Sequence, residues 1–477
     1  MPSFPISDRI LNQNSKRIPG GMSSLNRLTN PNIVFVKGSG SRLTDADGNE
    51  YIDYHGAFAP HLLGHSHPAV NQAVKAVLDE GCSLFGSGPT ELEGRLADLI
   101  CSHLPWIEQV VFLNSGSEAT AQAIRLARAV TRKDHIIVAQ GGYNGWHNDV
   151  ACNLATPLEA LGPRRSPGEY DVHPMSSGIP AEHLQLLHPI NFNDPESVRY
   201  VCERYPVGAL ITEPILQNVG LIKPLQGYLQ ELRSLANEYG FLLIFDEVKT
   251  GFRCGIGGYT QVSGVLPDLV VYGKAIASGY PLAAIGGPCR LMQRFVDPDP
   301  ASRVLLAGTY NAHPVPVAAA IATIEVLSQD HGETYRRLES LSSRLQTGLE
   351  DIFASGPVNA TVVREGSAFV VYFMDHAPRD WHDLAAHHDY PADHAFRQFM
   401  IENGIFFFPL ETKQCSVSAA HTEEDIDLTL EVARRAVKTL LAGGLRRDRA
   451  AAGNRHSASA PRENSSIRFS VPPSVPR

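Results

Sequence analysis

Five short apolar runs, separated by segments of helical period, constrain the fold of this chain more than any other feature. The runs are VVFL (110–113), HIIVA (135–139), GALIT (208–212), FLLIF (241–245) and LVVYG (269–273). Between them, segments such as ATAQAIRLARAV and YLQELRSLANEYG repeat their apolar residues at the spacing of an amphipathic helix. Strands that are apolar on both faces and alternate with helices predict a mostly parallel central sheet covered by helices on both sides. We therefore predict an α/β fold whose functional residues lie at the carboxyl ends of the strands.

The same pattern indicates how the chain is divided. It extends over residues 66–330, which we predict to form a large domain. Residues 1–65 are predicted to be mostly irregular, apart from a hairpin around Asp47. Residues 331–442 contain helical segments and two apolar strands, which predict a small α+β domain. The tail, residues 443–477, is poor in large apolar residues and is predicted to be disordered.

Composition and charge exclude several classes of function. Apolar residues make up 43% of the chain and charged residues 19%, which is typical of a soluble globular enzyme. A net charge of -9 argues against a nucleic-acid or anionic-membrane partner, and no apolar run approaches the roughly 20 residues of a membrane span. The start of the chain, MPSFPISDRI, lacks the pattern of a secretory signal. The cysteines are scattered without a Cys-x-x-Cys pair, which predicts reduced thiols and a cytoplasmic location.

Chemically suggestive residues follow three of the apolar runs. Small residues, SGSEAT (115–120), turn into a helix after the first run and offer free backbone N–H groups to a phosphate or carboxylate. Asp246 and Glu247 follow the fourth run, where unpaired charges would be costly. Lys274 follows the fifth run, and burial there would lower the pKa of its amine and make it nucleophilic. Taken singly, an ordinary turn and a solvated surface lysine are alternative readings of two of these features.

One cofactor explains the three features together. Pyridoxal phosphate needs an anion site for its phosphate, an acid that keeps its ring nitrogen protonated, and a lysine that holds its aldehyde as a Schiff base. The carboxyl ends of parallel strands lie at one edge of a sheet, so these groups are expected to meet there. We therefore predict a pyridoxal 5′-phosphate site in which Asp246 faces the ring nitrogen and Lys274 holds the aldehyde.

The motifs around these residues are similar to those of the class III, fold type I pyridoxal-phosphate aminotransferases. They read FLNSGSEATAQAIRLAR, GGYNGWHND, ITEPI, LLIFDEVKTGFR, PDLVVYGKAIASGYPLAAIGG and AGTYNAHP. Within that family the chain most resembles the glutamate-1-semialdehyde 2,1-aminomutase branch, from residues 19–21 to 420–427. The resemblance implies a fold type I architecture and a homodimer with shared active sites. It also implies that residues 1–65 contribute to the small domain and to the substrate site.

The resemblance further implies roles around the cofactor. Lys274 would form the Schiff base and then move a proton between the substrate Cα and the cofactor C4′, while Asp246 would pair with the ring nitrogen. The other implied contacts are Ser115, Gly116 and Ser117 at the phosphate, Tyr143 and Val248 on the two ring faces, Asn218 near the ring hydroxyl, and Thr309 at the phosphate of the neighbouring protomer. These roles predict a ping-pong transfer of an amino group to a carbonyl acceptor.

Three residues are expected on the substrate side, and two of them depart from the aminomutase pattern. Arg27 matches the arginine that binds the substrate carboxylate, although a solvated loop arginine is an alternative reading. Phe58 stands where a tryptophan is usual, and Lys413 stands where a glutamate usually faces the substrate amino group. A lysine at that place should repel an ammonium and favour an anionic group. We therefore expect an aminotransferase that acts on a carboxylate-bearing amino compound, with the aminomutase as the alternative.

Two further departures lie near the expected site. His313 stands in AGTYNAHP where an asparagine near the cofactor phosphate is usual. Residues 151–180 form a long Pro- and Gly-rich segment, which is uncommon unless it covers a site or is disordered. In an aminomutase this segment would be the lid that retains the intermediate.

Other candidate sites are less well supported by the sequence. The stretch HLLGHSH (61–67) is predicted to be a structural loop, and WHDLAAHHDYPADH (381–394) lacks a regular spacing of metal ligands, so we predict no metal site. Cys254 has no apparent base partner and is predicted to be a buried thiol. Outside aminotransfer, the alternatives are another pyridoxal-phosphate reaction, such as racemisation or decarboxylation, and a non-catalytic cofactor-binding protein.

Overall fold

The structure, a computed structural model, describes residues 3–356 and 358–442 and thus leaves the predicted tail outside the described residues. Its strands are β1 Phe35–Ser39, β2 Arg42–Asp45, β3 Glu50–Asp53, β4 Gln109–Leu113, β5 His135–Ala139, β6 Leu187–Ile190, β7 Val207–Thr212, β8 Leu242–Glu247, β9 Leu269–Tyr272, β10 Ala283–Gly287, β11 Thr361–Glu365, β12 Ala368–Tyr372, β13 Ile405–Phe406 and β14 Cys415–Ser416. Its helices are α1 Pro5–Ser15, α2 Pro68–Asp79, α3 Glu91–His103, α4 Gly116–Thr131, α5 Leu158–Leu161, α6 Ala181–Leu184, α7 Pro195–Cys202, α8 Tyr228–Tyr239, α9 Gly258–Ser263, α10 Cys289–Met292, α11 Pro314–Ser328, α12 Glu333–Ser355, α13 Trp381–His387, α14 Tyr390–Glu402 and α15 Glu423–Ala442. None of the described helices is long and apolar enough to cross a membrane.

The central sheet has seven strands in the order β4-β10-β9-β8-β7-β5-β6. Strands β6, β5, β7, β8 and β9 pair in parallel, whereas β10 is antiparallel to both β9 and β4. β7, β8 and β9 are buried along their whole length. Strands covered by helices on both faces have no solvent-facing side, which explains their continuous apolar sequences. The predicted α/β fold with a mostly parallel sheet is confirmed.

Two strands of this sheet carry weak sequence signals. β6 reads LHPI and contains a proline, whereas β10 reads AAIGG and consists mostly of small residues. Close packing requires the small residues of β10, because a Cβ on Gly286 would lie 2.8 Å from Ile107 Cδ1. The hydrophobic pattern alone therefore does not reveal these two strands.

Helix α1 corrects the expectation that the start of the chain is irregular. Pro5 occupies its first turn, where a missing N–H group costs nothing. The side chain of Asp47, in the β2–β3 hairpin, accepts hydrogen bonds from Ile6 N at 2.7 Å and from Ser7 N at 3.0 Å. The cap of α1 thus comes from a residue distant in the chain, which local sequence does not show.

Two smaller sheets lie beside the central one. In the first, with the order β1-β2-β3-β13, Ile405 and Phe406 of β13 pair in parallel with Ile52 and Asp53 of β3. The second has the antiparallel order β11-β12-β14. Strands near the start of the chain are therefore hydrogen-bonded to the C-terminal part, whereas the predicted domain boundaries stay predictions.

Candidate active site

A cavity of about 390 Å³ opens at the carboxyl ends of the central strands. The residues predicted at the cofactor that line it are Ser115, Gly116, Ser117, Tyr143, Asn218, Asp246, Val248 and Lys274. The structure thus brings together side chains from the ends of β4, β8 and β9, as the position of their motifs after apolar runs suggests. Their individual roles stay predictions.

Asp246 lies at the end of β8 and is 4% exposed. Asn144 Nδ2 donates to its Oδ2 at 2.9 Å, and Val248 N donates to its Oδ1 at 3.0 Å. Burial raises the pKa of the Asp246 carboxyl, whereas these two donors and the charge of Lys274 oppose the rise. A buried carboxylate that lines a cavity is suited to hold a cationic N–H group there.

Glu247, the second carboxylate of the strand end, has a different environment. Its oxygens accept hydrogen bonds from Thr250 Oγ1 at 2.8 Å, Tyr259 N at 2.6 Å and Thr260 N at 2.8 Å. Successive side chains of a strand point to opposite faces, so the neighbour of Asp246 points away from the cavity. Glu247 therefore holds the connection between β8 and α9 in place.

Lys274 begins a short 3-10 turn directly after β9. Its φ of +46° lies in the left-handed region, which costs a residue with a side chain about 1–2 kcal/mol. Burial lowers the pKa of its amine, while Asp246 and Glu213 oppose the shift. An amine of lowered pKa, held in a strained turn beside a carboxylate, has the properties of a nucleophile and of a proton carrier.

The first turn of α4 forms the predicted anion site. Ser115 caps the helix: its Oγ accepts from Glu118 N at 3.3 Å, and Glu118 Oε2 accepts from Ser115 N at 2.9 Å. The N–H groups of Gly116 and Ser117, in the first turn, have no carbonyl partner within the helix, and both residues line the cavity. A Cβ on Gly116 would lie 3.0 Å from Val248 Cγ2, so the close approach of this turn to β8 favours glycine.

Two functional candidates were missed by the sequence analysis. Glu213, just after β7, is 2% exposed and accepts from Tyr143 N and from Gln217 N, both at 3.0 Å. Lys249 lines the cavity, is 7% exposed, and donates from Nζ to Gln217 O at 2.7 Å. Both stand in quoted motifs, ITEPI and LLIFDEVKTGFR. Lys249 follows two carboxylates and precedes no long uncharged stretch, so the argument made for Lys274 does not single it out.

Glu213 and Lys249 alter each other's ionisation. Burial raises the pKa of Glu213, and Lys249 opposes this rise. Burial also lowers the pKa of Lys249 well below its ordinary value; the charge of Lys274 adds to the shift, and Glu213 opposes it. The cavity therefore holds two amines and two carboxylates whose charges depend on one another.

Lys413 contacts a residue that lines the cavity, but neither Lys413 nor Phe58 is among the lining residues in the described part of the chain. Lys413 Nζ donates to Asn218 O at 2.9 Å, and burial lowers the pKa of its amine to about 8. Phe58 packs edge-to-face against His55 and Phe408, at centroid distances of 4.3 and 5.0 Å. Lys413 thus brings a cation to the residue that the resemblance implies at the ring hydroxyl.

Arg27 and Thr309 are both exposed in the single chain and do not line its cavity in the described part. Arg27 ends a short 3-10 turn, Leu25–Arg27. Thr309 lies in a loop beside Tyr310, which is 62% exposed, and near Leu305, which is 67% exposed. Their predicted roles therefore depend on contacts that one described chain does not make.

His313 serves as the N-terminal cap of α11. Its Nδ1 accepts a hydrogen bond from Val315 N at 3.2 Å. The residue that reaches the Ser115 turn is Asn311, whose Oδ1 accepts from Asn114 Nδ2 at 3.1 Å. The sequence analysis placed His313 near the phosphate and gave no role to Asn311.

Segment 151–180 packs against α13 and contributes none of the lining residues of the cavity in the described structure. Trp381 Nε1 donates to Thr156 O at 2.8 Å, and Arg164 Nε donates to Asp380 Oδ2 at 2.8 Å. The segment contains one short helix, α5, and otherwise lacks regular structure. These contacts anchor it to α13, and they do not support the expectation that it forms a lid.

The donor set fits the cofactor predicted from the sequence. The free N–H groups and hydroxyls around Ser115 suit a phosphate. Asp246 is held in place by hydrogen bonds from Asn144 and from Val248 N, and its carboxylate suits a protonated ring nitrogen. Among the described residues, no side chain or backbone group is hydrogen-bonded to the Lys274 amine. The lysine is therefore available to a carbonyl group.

Comparisons with known proteins agree with this fit. The family Aminotransferase class-III matches residues 24–437. The chain is 37% identical over 427 residues to glutamate-1-semialdehyde 2,1-aminomutase 2 of Brevibacillus brevis, covering 88% of this chain and 95% of that protein. Its structure is similar to the crystal structure of an omega-transaminase from Sphaerobacter thermophilus, with a TM-score of 0.83 and 27% sequence identity. That match covers 92% of this chain and 98% of the transaminase chain.

A second solved structure, a transaminase with PLP bound, bears on the cofactor. It has a TM-score of 0.81 and 27% identity, and the match covers 93% of this chain and all of the other (100%). Together with the family match and the geometry of the cavity, it establishes the predicted cofactor as pyridoxal 5′-phosphate and the fold as fold type I. The chain belongs to the class-III aminotransferase family.

Proposed function

We propose that this protein is a glutamate-1-semialdehyde 2,1-aminomutase, which moves an amino group within one carbon skeleton to give 5-aminolevulinate. The observation that carries the proposal is the 37% identity to a protein of that name over 88% of this chain. The sequence analysis favoured an aminotransferase acting between two molecules. The comparisons support the aminomutase better, because relatives that are 36–37% identical over most of this chain carry that name.

In the proposed reaction each side chain has one task. Bound pyridoxal phosphate supplies an electron sink for the electrons of a broken Cα–H bond. Asp246 keeps the ring nitrogen protonated, and the α4 turn at Ser115 holds the phosphate. Lys274 Nζ would take the Cα proton and deliver it to the C4′ side of the cofactor, for which a lowered amine pKa is required. Tyr143 and Val248 flank the ring and fix its plane.

A substrate with a carboxylate is consistent with the charges near the cavity. Lys413 and Lys249 both place amines at the chain segment after β7, and Arg27 is the carboxylate partner implied by the resemblance. Glutamate-1-semialdehyde carries one carboxylate and one ammonium group. Glu213 and Asp246 are two carboxylates that line the cavity.

Lys413 favours a second candidate function. A cation in place of the usual glutamate disfavours an ammonium group beside it, as the aminomutase substrate would place there. An aminotransferase that passes an amino group from a carboxylate-bearing amino compound to a separate carbonyl acceptor, with ping-pong kinetics, avoids this repulsion. The two candidates differ in whether a second substrate is needed.

The surface around Thr309 supports a homodimer. Leu305 and Tyr310 flank it and are 67% and 62% exposed. Large apolar side chains exposed in this way are typical of protein–protein contacts. We propose that two chains pair through this surface and share their active sites, so that Thr309 reaches the phosphate site of the other protomer. Sedimentation of the holoenzyme as a monomer would contradict the pairing.

We also propose a cytoplasmic location. All the cysteines, at positions 82, 101, 152, 202, 254, 289 and 415, are free and at least half-buried. Cys254 follows this pattern, because burial raises the pKa of its thiol. Unpaired thiols are typical of proteins kept in a reducing compartment. Disulfide formation in the protein isolated from its source would contradict this proposal.

The deciding experiment supplies glutamate-1-semialdehyde to the enzyme loaded with pyridoxamine phosphate. No other amino donor or acceptor is present, and 5-aminolevulinate is measured over many turnovers. Sustained turnover is expected for the aminomutase. A single turnover or none, with the cofactor still responding in absorbance to an amino donor, would refute the aminomutase and support the intermolecular aminotransferase.

A further inference from the structure

A cluster of potential metal ligands lies outside the cavity, where the sequence predicted no metal site. It consists of His376, in the connection after β12, and of Asp383 and His387 on α13. One ligand atom of each lies within 4.8 Å of the others. Asp383 and His387 are four residues apart and therefore share one face of the helix. The stretch considered in the sequence, 381–394, did not include His376, which only the fold brings to this face.

The two imidazoles meet at the Asp383 carboxylate, and His387 Nδ1 also lies 2.9 Å from the backbone oxygen of Asp383. Asp383 Oδ1 lies 3.0 Å from His376 Nε2 and 3.0 Å from His387 Nδ1. The other oxygen of Asp383 accepts a hydrogen bond from Arg379 N at 3.0 Å, which fixes the orientation of the carboxylate. The donor atoms are thus two imidazole nitrogens and one carboxylate oxygen, a set that suits divalent first-row transition ions such as Zn²⁺.

An outer carboxylate orients one of the histidines. Asp375 Oδ1 lies 2.7 Å from His376 Nδ1. A histidine that donates from one ring nitrogen to a carboxylate presents the lone pair of the other nitrogen to a metal, as metal-binding histidines commonly do. Here that other nitrogen, Nε2, is the one that faces Asp383 and His387. The cluster thus contains four side chains in mutual contact, whereas an ordinary surface ion pair contains two.

We propose that His376, Asp383 and His387 bind one divalent transition-metal ion, with water completing its coordination. His376 and His387 are 43% and 55% exposed on their side chains, so an ion can enter from solvent. The ion cross-links the end of the β12 connection to α13. Because α13 also anchors segment 151–180 through Trp381 and Thr156, the ion stabilises that contact as well.

The test is a titration of the untagged, chelator-treated holoenzyme with Zn²⁺ by calorimetry. We expect saturable binding of about one Zn²⁺ ion per chain, with the Zn²⁺ affinity lowered at least ~10-fold in both H376Q and H387Q. The matched control is H394Q: His394 Nδ1 also lies 2.8 Å from a carboxylate, Glu411 Oε1, but without a second histidine. This control should bind as the unaltered enzyme does. Cofactor absorbance checks that each variant is folded.

Co²⁺ provides a second readout that does not depend on stability. Its visible absorption bands report nitrogen and oxygen ligation, and they should appear in the unaltered enzyme and in H394Q but not in H376Q or H387Q. Absence of saturable Zn²⁺ binding, or equal binding by all variants, would overturn the proposal. An equal loss in H394Q would also overturn it, because binding would then come from surface histidines in general.

Discussion

Lys249 and Lys413 donate hydrogen bonds to consecutive carbonyl groups, Lys249 to Gln217 O at 2.7 Å and Lys413 to Asn218 O at 2.9 Å. The two amines come from distant parts of the chain, the end of β8 and the stretch before β14. Both meet the chain segment that follows β7, next to Glu213. This end of the active site therefore carries more positive charge than the sequence pattern of the family, with a glutamate in place of Lys413, would give it.

The first prediction concerns the charge of Lys413. K413E should raise KM for carboxylate-bearing amino donors by about 30-fold, equivalent to about 2 kcal/mol of lost binding, because it replaces attraction by repulsion. The measurement is KM and kcat over a panel of donors with and without a carboxylate. K413M is the matched control, which keeps the length and removes only the charge, and it should give an intermediate value. Equal effects on donors without a carboxylate would contradict the prediction.

The second prediction follows from the pKa of the same residue. Burial lowers the pKa of Lys413 from 10.5 to about 8, so the folded enzyme loses this positive charge as the pH rises through about 8. KM for a carboxylate-bearing donor should therefore rise above about pH 8. K413R keeps its charge in this range and should remove that rise. A rise of KM that is identical in K413R would assign the titration to another group.

Lys249 is the subject of the third prediction. Burial and the charge of Lys274 lower the pKa of Lys249 well below its ordinary value, so Lys249 should be neutral where the Lys274 nitrogen titrates. K249M should therefore leave the pH midpoint of the cofactor absorbance nearly unchanged. The measurement is a pH titration of the holoenzyme spectrum. K133M is a matched control, because Lys133 also donates to a backbone carbonyl, Tyr239 O at 2.7 Å, but lies away from the cavity. A rise of the midpoint in K249M but not in K133M would contradict the prediction, because it would show that Lys249 is charged next to Lys274.

The fourth prediction separates the two adjacent carboxylates. E247Q places an amide against the donors Thr250 Oγ1, Tyr259 N and Thr260 N, and should lower the free energy of unfolding by about 2–4 kcal/mol with little change in kcat. D246N should instead lower kcat ~100-fold or more and leave the free energy of unfolding nearly unchanged. Chemical denaturation and steady-state kinetics of both variants test the contrast. A large loss of kcat in E247Q at unchanged stability would contradict it.

The sequence alone was sufficient to predict five of the central strands and the grouping of the cofactor residues. The runs at β7, β8 and β9 are apolar because both of their faces are buried, and this signal is local. Lys274, Asp246 and the turn at Ser115 could be placed together because each follows such a run. Parallel strands then bring their carboxyl ends to one edge without further information.

Other features depended on contacts between distant residues. Helix α1 is capped by Asp47, and Lys249 is held by Gln217 O, so neither position has a local signature that distinguishes it. The same holds for segment 151–180, whose composition is compatible with a lid but whose hydrogen bonds attach it to α13.

Asp246 and Glu247 show where the division lies. The amino-acid sequence determined that two carboxylates stand at the end of a buried strand, and chemistry determined that at least one of them needs a cation. The sequence analysis assigned Asp246 to the cofactor, but only the tertiary structure shows that it lines the cavity, because strand alternation sends neighbouring side chains to opposite faces without saying which face is open. The packing of α9 against one face, and the turn at Ser115 beside the other, made that choice.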